Sequence, residues 1–289
     1  MPSFLRADPE RGSLIGAGAV ALVVTVNLVN LRFEDEWGIG VHFAYSALAA
    51  GLVIALALSV RPGAGRPPIW HSTLIVASFV LAFGALFNLA DLLGGSGDLG
   101  SGTVFWVGFL IASLMFWLAH RYDSGIAALL DAITTVVTVV AFVEWAFDPD
   151  GADTFRWVLL FTAVGAAAYG LMGADEEGHR RVGWVNAAGV ALLGIAGTYA
   201  LEFLGSGLLG GVEAGTGWEL VLLAGGAALI AHAAVFARSG PAYLGGANLF
   251  AFVILAGAPS DDGPSLVGWP LLLLMGTAGM LVVALRPRT

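Results

Sequence analysis

Residues 125–147 read GIAALLDAITTVVTVVAFVEWAF. A helix needs ~20 apolar residues to cross ~30 Å of hydrocarbon, because each residue rises only ~1.5 Å. This stretch has that length, with one acid deep inside it, Asp131, and a second, Glu144, close to its end. Its apolar residues fall on all sides rather than along one stripe, so no wet face is left for a soluble domain to use. Nor do they alternate with polar residues, as they would in a barrel strand. The run predicts a membrane-spanning helix.

Working outward from it, the same reading gives about ten spans. They lie near 13–31, 40–60, 70–93, 103–119, 125–147, 156–173, 182–204, 218–237, 241–258 and 267–285. Charges, Gly or Pro break them apart, as in Arg61-Pro62-Gly63 and Pro259-Ser260-Asp261-Asp262. Residues 1–289 therefore read as a single integral membrane domain, an all-α polytopic bundle. Composition agrees: 58% of residues are hydrophobic, 11% are charged and mean hydropathy is +0.87. A soluble domain carries roughly 25% charged residues. The first stretch is read as a span and not a cleaved leader. Its apolar run is too long, Asp8 and Glu10 flank it, and no small-residue cleavage site follows.

Arginine placement fixes the expected orientation. Arg6 and Arg11 precede the first span, and Arg286 and Arg288 follow the tenth. Arg61, Arg66, Arg121, Arg180, Arg181 and Arg238 fall in alternate connections between them. Ten crossings put all of these on one side, leaving only Arg32 and Arg156 opposite. The positive-inside rule then places both termini in the cytoplasm of a multi-pass plasma-membrane protein. The opposite side is acidic, with Glu34, Asp35, Glu36, Asp98, Asp148, Asp150, Asp153, Glu213, Asp261 and Asp262. Miscounting the helices by one would scramble this separation.

Two stretches echo each other. Asp91-Leu-Leu-Gly-Gly-Ser-Gly, then Gly102-Thr103, Arg121 and Ser124-Gly125, parallels Glu202-Phe-Leu-Gly-Ser-Gly, then Gly215-Thr216 and Arg238-Ser239-Gly240. Helices 3–4–5 would correspond to helices 7–8–9, a parallel internal repeat with a four-helix period. The alternative is a chance echo in a chain rich in Gly, Ala and Leu.

Ionisable residues within a span cost ~3 kcal/mol, so each is a functional candidate. Asp131 leads. Thr134, Thr135 and Thr138 follow it at helical spacing and share its side of the helix. The stripe suits a proton or small-cation site, or else an acid bonded to neighbouring hydroxyls or to Arg121. His232 lies at a similar depth and would make a proton-accepting pair with Asp131 if their helices met. A second polar set gathers toward the acidic side: Asn27, Asn30, His42, Tyr45, Asn88, Asp91, Glu144, Tyr199, Glu202 and Glu219. Of these, Asn88, Asp91, Glu144 and Glu202 are binding candidates for an outward vestibule. The alternative is cheap hydration within a turn of the interface.

Several chemistries are excluded. The chain has no cysteine, and all 12 basic residues are arginine, so thiolate, Schiff-base and P-loop chemistry are absent. The five histidines, at 42, 71, 120, 179 and 232, form no metal run, and no metal or cofactor is expected. Gly95-Ser96-Gly97-Asp98 and Tyr122-Asp123 match the GxGD and YD patterns of intramembrane aspartyl proteases. They occur in the reverse order and a full membrane apart. The connections are too short and too weakly basic for nucleic acid.

In length, helix number and cytoplasmic termini the chain resembles the drug/metabolite transporter superfamily. The resemblance is one of architecture and implies a small-solute permease. That family is built from inverted five-helix halves, whereas the echo here is parallel, and no binding residues carry over. The expected function is thus a secondary transporter of a small solute, with lipid as the surrounding partner. A non-transporting sensor, assembly factor or partner subunit is the alternative, and an enzyme is expected least.

Overall fold

The computed structural model describes residues 12–60, 68–94, 100–149, 151–172, 178–206, 215–236 and 239–256, with backbone alone at 178–182, 202–206 and 239. All the elements among them are helices: α1 (Gly12–Arg32), α2 (Ile39–Ser59), α3 (Ile69–Leu92), α4 (Ser101–Tyr122), α5 (Gly125–Phe147), α6 (Ala152–Met172), α7 (Gly178–Ser206), α8 (Thr216–Phe236) and α9 (Ser239–Ala256). Eight are long and apolar enough to cross a membrane, and α9 is a shorter apolar helix. The tenth expected span, 267–285, lies outside the described residues, as do most of the loop arginines.

Helix ends follow local chemistry. Asp123 ends α4 with φ 52° and Asp148 ends α5 with φ 41°, the left-handed conformation that short polar side chains tolerate. Ser124 then caps α5, its hydroxyl accepting from the Ala127 amide at 3.4 Å. Only Asp123 and Ser124 separate α4 from α5, so the two helices return alongside each other.

Successive helices alternate in direction. His42, early in α2, meets Asn30 late in α1, while Ala57, late in α2, meets His71 early in α3. Trp70, early in α3, lies over Gly12 and Gly16 at the start of α1. We call the end where odd-numbered helices begin the near end, and the other the far end.

The hairpins α2–α3, α4–α5, α6–α7 and α8–α9 form the most extensive contacts. In the first part of the chain, α3 packs on α1, α2, α4 and α5. In the second part, α7 packs on α5, α6, α8 and α9. Small residues set the closest seams. A Cβ on Gly108 would collide with Thr138 Oγ1, so α4 and α5 touch there. Between α8 and α9, a Cβ on Gly245 would sit 2.8 Å from the Gly226 carbonyl oxygen. Such seams let dispersion forces act between backbones where lipid removes the hydrophobic drive. The periphery is apolar as well: Leu48 is 76% and Phe161 70% exposed, which suits hydrocarbon and not water.

Candidate functional site

Among the described residues, polar side chains enter this bundle at several places. The first is a three-helix junction at the far end. Asn30 of α1 donates from Nδ2 to Ser46 Oγ of α2 at 3.0 Å, and Asn88 of α3 donates from Nδ2 to the same oxygen at 3.2 Å. His42 Nδ1 lies 3.0 Å from Asn30 Oδ1. An amide oxygen only accepts, so Nδ1 is the donor in this contact and Nε2 is the ring's other polar atom. That nitrogen is buried and has no hydrogen-bond partner among the described residues. Trp37 stands over the junction, its ring centroid 5.7 Å from His42 and 6.1 Å from Tyr45.

The second is Arg156, one turn into α6 and 7% exposed. Its Nη1 donates to Asp153 Oδ1 at 2.7 Å and its Nε to Thr198 Oγ1 of α7 at 3.0 Å. The guanidinium lies over the Tyr199 ring, 3.6 Å from its centroid. Sequence reading left Arg156 at the edge of a span, because Asp153 and Arg156 look like a polar connection. The helix instead starts at Ala152, and the i,i+3 pairing was the available signal.

The third is the Asp131 stripe. Thr135 Oγ1 donates to Asp131 Oδ1 at 3.3 Å. No cation pairs with Asp131 among the described residues. Arg121 turns instead to the rings of Trp117 and Tyr122 and to the Tyr122 hydroxyl. Ile133 and Val137 mark the exposed side of α5. At 100° per residue, Asp131 and Thr135 lie roughly opposite them, and both are half-buried. Thr134 and Thr138 are buried, and each hydroxyl donates to the carbonyl four residues earlier at 2.7 Å. Those two thus serve the α4–α5 seam. His232 rings against Phe236 of its own helix, and α5 and α8 share no substantial packing, so Asp131 and His232 are not brought together.

The fourth lies at the near end. His71 is fully buried, with Nε2 3.2 Å from the Ala57 carbonyl and its ring centroid 4.6 Å from that of Tyr122. Ala57 belongs to the last turn of α2, whose carbonyls lack helical partners. Across the molecule, Asn248 of α9 donates to the carbonyls of Gly189 at 3.0 Å and Leu244 at 2.8 Å, stapling α9 to α7.

The expected far-end vestibule is represented unevenly. Asn88 belongs to the three-helix junction, Asp91 is half-buried at the end of α3, and Glu144 is exposed. Glu219 is buried in the first turn of α8, where the helix dipole favours an acid. The side chain of Glu202 lies outside the described residues. Among the described residues no group of three or more His, Asp or Glu is spaced to hold a metal ion. Sequence reading named Asn30, His42 and Asn88 but missed Ser46, the oxygen that joins them.

No protein-family model matches the chain, and neither a curated protein nor a solved structure was found to match it.

Proposed function

We propose that this integral membrane protein is a secondary transporter or permease for a small solute, with Asp131 as the intramembrane group that takes up a proton, a cation or the solute's positive end. The observation behind it is a half-buried carboxylate within a spanning helix, held by a 3.3 Å hydroxyl contact and lacking a countercharge among the described residues. An acid kept there for structure alone would be expected to have stronger partners. The proposal includes ten spans with both termini in the plasma-membrane cytoplasm, which makes the near end cytoplasmic and the far end external. Arginine segregation supports that orientation.

It also includes a parallel four-helix repeat. Each packed helix pair in α1–α5 has a counterpart four helices on: α1–α3 with α5–α7, α2–α3 with α6–α7, α4–α5 with α8–α9, and so through the rest. Uptake or efflux of candidate solutes by the protein in proteoliposomes tests the reading. Gradient-driven transport is expected, and Asp131→Asn should abolish its dependence on the gradient. Full gradient-driven transport by that variant would remove Asp131 from the mechanism.

A second reading, a non-transporting partner or assembly subunit, is favoured by Thr134 and Thr138. Their hydroxyl hydrogens are spent on their own backbone, so neither can donate to a ligand. Neither reading assigns catalysis.

A further inference from the structure

Arg121 lies in the last turn of α4, at the near end, and its charge is drawn inward. A helical side chain tilts toward the start of its helix. Because α4 starts at the far end, the arm of Arg121 leans toward the bilayer centre. Its guanidinium carbon lies 5.4 Å from the centroid of Trp117, one turn deeper, and 5.7 Å from that of Tyr122. Nε donates to the Tyr122 hydroxyl at 3.4 Å. Tyr122 is itself buried, its ring centroid 4.6 Å from that of His71 on α3, so it anchors the arm to the bundle.

This anchoring uses one N–H. The four on Nη1 and Nη2 remain as a fork, the shape that takes a phosphate by two parallel bonds. Among the described residues no carboxylate forms an ion pair with Arg121, and Asp123, two residues on, forms none with it. The guanidinium is thus held at the edge of the hydrocarbon, beside a tryptophan that is 43% exposed, with its countercharge missing.

The surface below the fork suits an acyl chain. Phe109, Leu110, Ser113, Phe116 and Trp117 are all exposed and recur at helical spacing, so they form one stripe along α4. From Phe109 to Arg121 the rise is about 18 Å, a little over half of the ~30 Å hydrocarbon core and so about one leaflet. Ser113 is the one polar side chain of the stripe. Its hydroxyl donates to the Phe109 carbonyl at 2.7 Å, so no unmet donor faces the lipid there.

We propose that Arg121 and this stripe hold an anionic glycerophospholipid in the near leaflet, its phosphodiester on the guanidinium fork and an acyl chain along Trp117, Phe116 and Phe109. A zwitterionic lipid brings the same phosphate with a cation already attached, so the anionic headgroup is preferred. On the orientation proposed above this is the cytoplasmic leaflet, whose anionic lipids attract basic residues. The assignment requires neither that orientation nor solute transport.

The test uses the full chain in mixed vesicles of phosphatidylglycerol and phosphatidylcholine. One lipid at a time carries bromine high on its acyl chains, where it quenches tryptophan fluorescence on contact. At equal mole fractions, brominated phosphatidylglycerol should quench more than brominated phosphatidylcholine. The excess should correspond to about fivefold enrichment beside Trp117, which is about 1 kcal/mol for one basic residue at the membrane surface. Trp117→Phe should remove most of the excess, because the reporter is lost while the guanidinium stays. Arg121→Gln should remove it as well, because the fork is lost while the reporter stays. Both side chains lie at the surface, so neither substitution opens the core. Inorganic phosphate should reduce the excess no more than chloride does at equal ionic strength. Equal quenching by the two lipids in the wild type, or an unchanged excess in either variant, would overturn the site. Specific displacement by inorganic phosphate would overturn the lipid as its occupant.

Discussion

The α1–α2–α3 and α5–α6–α7 trios are packed alike and wired differently. In each, the third helix lies against the first and pairs most closely with the second. In each, polar groups cluster at the far end, where the second helix begins. The first trio fills that place with neutral amides, a hydroxyl and an imidazole. The second fills it with a guanidinium held by Asp153, Thr198 and Tyr199. One arrangement of helices thus accommodates two unrelated hydrogen-bonding sets. The arrangement must then come from what the trios share, small-residue seams and lipid-facing apolar sides, and the polar sets are free to serve function.

The largest effects are therefore expected at the seams. Gly245→Val in α8–α9 forces a side chain against the Gly226 carbonyl, which cannot rotate away. A loss of about 3 kcal/mol is expected, in line with overpacked cores. Unfolding in mixed micelles would measure it. Gly108→Val in α4–α5 meets the Thr138 side chain instead, which has some freedom, and should cost less. Equal tolerance at both seams would break the claim that close backbone approach organises the two parts.

Next come the polar sets. Arg156→Met should cost about 2 kcal/mol, because it removes charge-assisted bonds and the ring contact from a buried position. His42→Leu should cost about 1 kcal/mol, since it leaves Asn30 Oδ1 short of one neutral bond. Thermal unfolding of both variants, compared with wild type under one condition, tests the ranking. If His42→Leu proves the more damaging, the first junction is structural and the contrast between trios disappears.

Eight of the ten expected spans correspond to helices long and apolar enough to cross a membrane, because hydrocarbon thickness sets helix length and the breaks carry charge or glycine. Residues 125–147 were read with the bounds that α5 has. Helix faces were another matter. Asn30, His42 and Asn88 were visible as far-end polar residues, but nothing in periodicity says that three helices turn them onto Ser46. Arg156 misled because a charge at the edge of an apolar run looks like an ending, although its neighbour Asp153 and the facing Thr198 make one helical turn of burial affordable. Asp131, Thr134, Thr135 and Thr138 all belong to α5, yet the hydroxyls divide. Thr135 faces the acid, while Thr134 and Thr138 bond to their own backbone, a choice that sequence spacing leaves open.

That division gives the smallest expected effect. Thr138 donates to the Thr134 carbonyl, a group already bonded within its helix, so the hydroxyl adds little. Thr138→Ala should change stability by less than about 0.5 kcal/mol. It also removes the atom that a Cβ on Gly108 would strike. Gly108→Ala should therefore destabilise the wild-type background and be nearly neutral beside Thr138→Ala. A double-mutant cycle by micellar unfolding would show this as a coupling of about 1 kcal/mol. Additive effects would mean that α4 and α5 are not held at the Gly108–Thr138 contact. The α4–α5 seam would then lose its likeness to α8–α9, where the Gly226 carbonyl and the Ile230 side chain set the approach.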